Sequence, residues 1–256
     1  MSAKKGSLLL RYEFCIRLCI HFPSKSMFHP AIDYSVRIAV NGNVLEGVLS
    51  IPHDPSAIVI FAHGNGVGRR ALRNTSIAKV LHKAGFATLL IDLVSEDEVV
   101  VCDIRFNVQL LTGRLIKVIE WIWSSTETEG LPIVLFGTGA GAAAALRTAA
   151  ILPDEIKAIV SRSGRLDLAE GILWRVACPT LLIVGSRDKG LIAINKKALK
   201  ELHCEKKMEI IPGATHLFEE GSTLQTITVL VASWCHNHCC PIRPKNEESS
   251  LTPIPL

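Results

Sequence analysis

The chain has 256 residues, 48% of them hydrophobic and 20% charged. That suits an α/β domain with a sizeable core and excludes a disordered polypeptide. Its net charge is only +4, its basic residues are dispersed and only 5% of it is aromatic, so no nucleic-acid partner is expected. No apolar run approaches the roughly 18 residues of a bilayer span, so no membrane partner is expected either.

Residues 1–26 are basic and almost without acids. In "SLLLRYEFCIRLCIHF" the charges of Arg11, Glu13 and Arg17 break the apolar run that a signal peptide needs. Residues 1–30 are therefore read as an extension outside the globular domain, which spans 31–238. Residues 239–256 contain the Pro- and Ser-rich "PIRPKNEESSLTPIPL" and are expected to form a disordered tail. The eight cysteines, without a signal peptide, fit a reduced cytoplasmic protein. A mitochondrial or plastid location is the alternative if residues 1–26 are a transit peptide. "WCHNHCC", over residues 234–240, offers soft ligands in one isolated cluster, whereas structural zinc sites pair two clusters. No metal and no cofactor is expected.

The elements follow in order. Residues 35–50 give two strands about Asn41-Gly42-Asn43, a hairpin signal. "SAIVIFAHG" is a continuous apolar strand, as in a sheet covered on both faces. A helix is predicted from Leu72 to Ala84, then the strand "FATLLIDL", an acidic loop "SEDE", and a long helix from Asp103 to Trp123. Strand 133–137 and helix 140–152 follow, then strand "IKAIVSRSG" and a short helix from Leu166 to Trp174. "PTLLIVGSRD" is a strand, Leu191 to Leu202 a helix, "KKMEIIPGATH" a strand and loop, and Leu224 to Cys235 the last helix. Alternation at this spacing predicts a doubly wound, mostly parallel sheet with an antiparallel hairpin at its start.

Active sites of such sheets lie beyond the carboxyl ends of the strands. "LFGTGAGAAAAL" is built like a nucleophile elbow, strand, tight turn and helix, and its G-x-S-x-G pattern falls on residues 137–141. Gly139 stands where the nucleophile would be. Asp188 follows a strand, and His216 comes 28 residues later after the next one, which completes the chain order elbow, acid, histidine. The acid would orient the imidazole, and the imidazole would be the general base. The backbone N–H groups of Asn65, in "FAHGNG", and Ala140 are candidates for the oxyanion hole. Arg69, Arg73 and Asn74 are candidates for contact with an anionic substrate group, or for capping and solvating the first helix.

The segments "VIFAHGNGVGR", "FGTGAGAAAAL", "SRSGRLDLA", "PTLLIVGSRD" and "IPGATHLFEE" together make residues 35–235 resemble the dienelactone-hydrolase-like branch of the α/β-hydrolase superfamily. The resemblance implies an α/β-hydrolase fold with little or no lid, acting on small esters or lactones. It implies a Ser or Cys nucleophile at the position that Gly139 occupies here. Acyl-enzyme chemistry cannot occur at a glycine. The expectation is a hydrolase-class protein weak or inactive as a serine-type enzyme, its ligand a small ester, lactone or acyl compound. The alternative is a non-catalytic ligand-binding or regulatory pseudo-hydrolase.

Overall fold

The structure, a computed structural model, describes residues 31–64, 68–99 and 104–240. The expected N-terminal extension and the residues from 241 onward lie outside them. Strands β1 (Ile32–Val40) and β2 (Asn43–Ile51) form the predicted hairpin. Its turn residues Asn41 and Gly42 have φ of 49° and 82°, the two positive values of a type I′ turn. Strands β3 (Ala57–His63) and β4 (Phe86–Asp92) are buried at every position, as their unbroken apolar runs require. With β5 (Ile133–Gly139), β6 (Ile156–Gly164), β7 (Thr180–Gly185) and β8 (Lys206–Ile211) they make one eight-stranded sheet, ordered β1-β2-β4-β3-β5-β6-β7-β8. The β1–β2 and β2–β4 pairs are antiparallel and the rest parallel.

Helices α2 (Val108–Ser124), α3 (Ala140–Ile151) and α4 (Lys189–Glu201), together with α1 (Leu72–Lys83) and α5 (Thr223–Cys239), cover the sheet. Core side chains from α2, α3 and α4 fill one face, and those from α1 and α5 the other. This is the α/β-hydrolase fold, a doubly wound sheet opening on a hairpin. None of its helices is long and apolar enough, among the described residues, to cross a membrane.

Four segments depart from the sequence expectation, the first being the acidic loop, which holds a short helix, Glu96–Val99. The helix expected from Asp103 begins at Val108. Asn107 caps it by accepting from Leu110 N at 3.0 Å, and Ile104–Phe106 is a separate 3-10 turn. The helix expected from Leu166 to Trp174 is two 3-10 turns, Leu166–Ala169 and Leu173–Arg175, parted by Gly171 at φ 83°. At the other end, α5 runs through Cys239, with Cys240 as its cap, so those two residues belong to the domain.

The chain order reverses between β3 and its neighbour β5. A crevice therefore opens beyond their carboxyl ends. The alanines of α3 bring that helix close beneath it. A Cβ on Gly141 would stand 2.2 Å from Ala62 O, and one on Gly137 2.4 Å from Ala142 Cα.

Candidate active site

The carboxyl ends of β3, β5, β6 and β7 open into one cavity of about 600 Å³. Gly139 is on its wall, with φ 54° and ψ −126°. That is backbone a non-glycine residue adopts only under strain. A Cβ built there meets nothing within 4 Å. The turn thus has the shape and the free space of an elbow, and no side chain. Arg165 N donates to Gly139 O at 3.0 Å and ties the turn to the loop after β6. Ala140, the first residue of α3, also lines the cavity, and as a first-turn residue its N–H has no intrahelical partner. Asn65, the other expected oxyanion donor, lies outside the described residues.

Asp188 and His216 meet on the same cavity. His216 Nδ1 is 3.9 Å from Asp188 Oδ2, too long for a hydrogen bond. The other carboxylate oxygen accepts from Leu191 N at 3.0 Å and caps α4. Asp188 therefore serves a helix as well as facing the imidazole. The His216 side chain is 58% exposed. Its loop is held from below: Phe218 is fully buried at φ 56°, and Glu220 accepts from Thr215 N at 3.0 Å.

Of the three residues considered for an anionic group, Arg73 and Asn74 line the cavity. Arg69 is placed elsewhere. Its Nη1 donates to the buried Asp92 at 2.8 Å, and Glu46 takes its other nitrogen. No motif marks Arg105, and Arg162, Ser163 and Arg165 fall within "SRSGRLDLA" without being given a role; all four line the cavity. The available signal was their place after a strand or in a loop at the carboxyl edge, with Arg162 at the end of β6. Ser163 stands at φ 49°, and its Oγ donates to His216 O at 3.4 Å. His63, buried at the end of β3, has its pKa lowered chiefly by desolvation.

Cys178, Cys235 and Cys239 are poor nucleophiles. Burial pushes Cys178 and Cys239 up to about 12, and Cys235 well above the usual thiol value. Cys102 lies outside the described residues. Among the described residues no three His, Cys, Asp or Glu side chains are grouped to hold a metal ion.

A solved structure of a dienelactone hydrolase from Anabaena variabilis is 41% identical to this chain, with a TM-score of 0.79. The match covers 82% of this chain and 100% of that one. The chain belongs to the dienelactone hydrolase family. Est1E from Butyrivibrio proteoclasticus, 17% identical with a TM-score of 0.68 over 80% of this chain and 98% of its own, shares the fold. Two curated Mycobacterium tuberculosis proteins, each named "Putative phosphoribosyl transferase", are 41% identical over 211 residues, 82% of this chain. The chain spans only 48% of their length, about half. No protein-family model matches the sequence.

Proposed function

We propose that this protein is of the ester and lactone hydrolase class but lacks the acyl-enzyme step of a serine hydrolase. Its ligand would be a small ester, lactone or acyl compound. One observation carries the reading: Gly139 keeps elbow geometry beside an open cavity and has no side-chain atom to attack a carbonyl. The route left is direct attack by water. His216 would take the proton, Asp188 would orient the imidazole, and the N–H groups of Ala140 and Asn65 would receive the oxyanion. The 3.9 Å gap between His216 and Asp188 argues for weak turnover at best. The phosphoribosyl transferase name belongs to proteins of about twice the matched length and supplies no activity for this cavity. The free thiols among the described residues support a cytoplasmic setting.

The test is steady-state hydrolysis of p-nitrophenyl acetate and a small lactone by wild type and His216→Ala. Turnover lost with His216 supports the water route. Rates at background in both leave a ligand-binding protein on a hydrolase fold. A second reading has its own observation: Ser163, at positive φ on the same cavity, is the one serine lining it among the described residues. Fluorophosphonate labelling mapped to Ser163 would make it a nucleophile displaced to the neighbouring strand, and an unlabelled protein would remove that reading.

A further inference from the structure

One cavity wall carries a cation that water attack does not use. Arg162 is 6% exposed at the end of β6. Its guanidinium lies over the Phe136 ring, 5.6 Å from the centroid. Its Nη1 is buried without a hydrogen-bond partner, and no ion pair to it is formed among the described residues. Burial lowers its pKa to about 10, and the nearby charge of Arg73 adds to the shift. Arg73, on the same cavity, is paired with the exposed carboxylate of Glu219, so Arg162 is the cation left without a counter-charge among the described residues. Arg105, on the same cavity, also has a buried Nε without a partner among the described residues, and its charge faces the Phe106 ring at 5.1 Å.

A buried charge without a counter-charge is costly, and a fold retains one where an anion completes it. The elements that supply the donors bear on which anion fits. Arg162 comes from β6, Arg105 from the turn before α2, and Arg73 from α1, while the amino end of α3 opens on the same space. A planar carboxylate is satisfied by one guanidinium fork. A phosphate monoester has three terminal oxygens and a charge of about −1.5 to −2 near neutral pH, which suits cations arriving from separate elements and a helix amino terminus.

We propose that Arg162, with Arg105 and Arg73, forms a subsite for a phosphate monoester, so that the small ligand of this cavity carries a phosphoryl group. The subsite rests on the reading of the cavity as a ligand site and not on its turnover. Melting of the full chain at low salt tests it, with 1 mM inorganic phosphate, phenyl phosphate, malonate or benzoate. The two phosphates should raise the wild-type melting temperature by about 5 °C. Malonate and benzoate should raise it by less than half as much. Arg162→Met should abolish the rise while melting, without ligand, no lower than wild type, because it removes an uncompensated buried charge. Arg105→Gln, outside the core, should weaken phosphate at least about tenfold, as loss of a charge-assisted hydrogen bond does. A rise retained in Arg162→Met, unchanged affinity in Arg105→Gln, or malonate equal to phosphate overturns the proposal. So does an Arg162→Met protein that melts far below wild type, which would assign the arginine to the fold. Ester turnover without any phosphate effect removes the subsite and leaves the hydrolase reading. Phosphate binding without turnover does the reverse.

Discussion

Asn74 holds His63: its Nδ2 lies 2.5 Å from the imidazole Nε2 and donates to Gly68 O at 2.8 Å. The imidazole Nδ1 is 3.0 Å from Phe61 O. With an amide donating to Nε2, the ring is neutral and its proton is on Nδ1. One side chain of α1 thus ties the end of β3 to Gly68, on the two sides of the loop in which Asn65 is expected to donate. Asn74→Ala would leave a buried ring nitrogen and a backbone carbonyl without partners. It should cost about 1–3 kcal/mol, each kcal/mol lowering the melting temperature by about 2–4 °C. Denaturant unfolding at pH 7.5 measures it.

Burial holds the His63 pKa below its ordinary 6.5, and that of His82 with it. Below 6.5 the unfolded chain takes up protons that the folded chain refuses. Stability is therefore full above 6.5 and falls as the pH drops toward the folded values, by at most about 1.4 kcal/mol per pH unit per histidine. Glu98, held at about 2 by Arg114, extends the loss to lower pH, from its ordinary 4.5 downward. The melting temperature should decline between pH 7 and pH 5, and His63→Gln should have the shallower slope. Equal slopes would mean that the histidine protonates without resistance in the folded state.

The order of strands and helices could be read because the buried strands are continuous apolar runs and Asn41-Gly42 dictates its turn. Element ends were less legible. Asn107 starts a helix and Gly171 parts two 3-10 turns through cap and backbone geometry, which a periodic pattern does not register. Gly139, Asp188 and His216 were singled out by order and spacing, and all three line one cavity. Arg162 reads in sequence only as part of the strand "IKAIVSRSG" and of the segment "SRSGRLDLA", because order and spacing do not say which way a strand side chain faces. Only the packing of β6 against β5 puts it over Phe136 at a cavity wall. Of the two roles of Asp188, the structure shows the cap bond at 3.0 Å against 3.9 Å to the imidazole.

Two glycines of the elbow should respond in opposite ways to a side chain. At Gly141 a Cβ would strike the backbone oxygen of Ala62 at 2.2 Å, and neither partner can rotate away. Gly141→Ala should cost roughly 3 kcal/mol or more. At Gly139 the space is open, so Gly139→Ser meets only the positive-φ penalty of about 1–3 kcal/mol. It also supplies the missing hydroxyl. Gly139→Ser should label with fluorophosphonate and hydrolyse p-nitrophenyl acetate about 10²-fold faster than wild type, a gain that His216→Ala in the same background abolishes. A folded Gly139→Ser protein with wild-type rates would mean that His216 and the oxyanion donors are not aligned on the elbow.

Two buried arginines near the cavity make the last contrast. Arg69 Nη1 meets Asp92 at 2.8 Å, its own backbone N–H donates to the same carboxylate at 3.2 Å, and Asp92 is 2% exposed. Removing the guanidinium strands a buried carboxylate, which costs about 3–5 kcal/mol. Arg162 has no such partner among the described residues, so its removal strands nothing. Arg69→Met should lower the melting temperature by roughly 10 °C, while its remaining folded fraction binds phosphate as wild type does. Arg162→Met should melt normally and lose phosphate. Measured side by side, the pair separates an arginine that holds the fold from one that the fold holds out to a ligand. Matching behaviour in both assays would mean that burial alone, and not the presence of a counter-charge, sets what each guanidinium does.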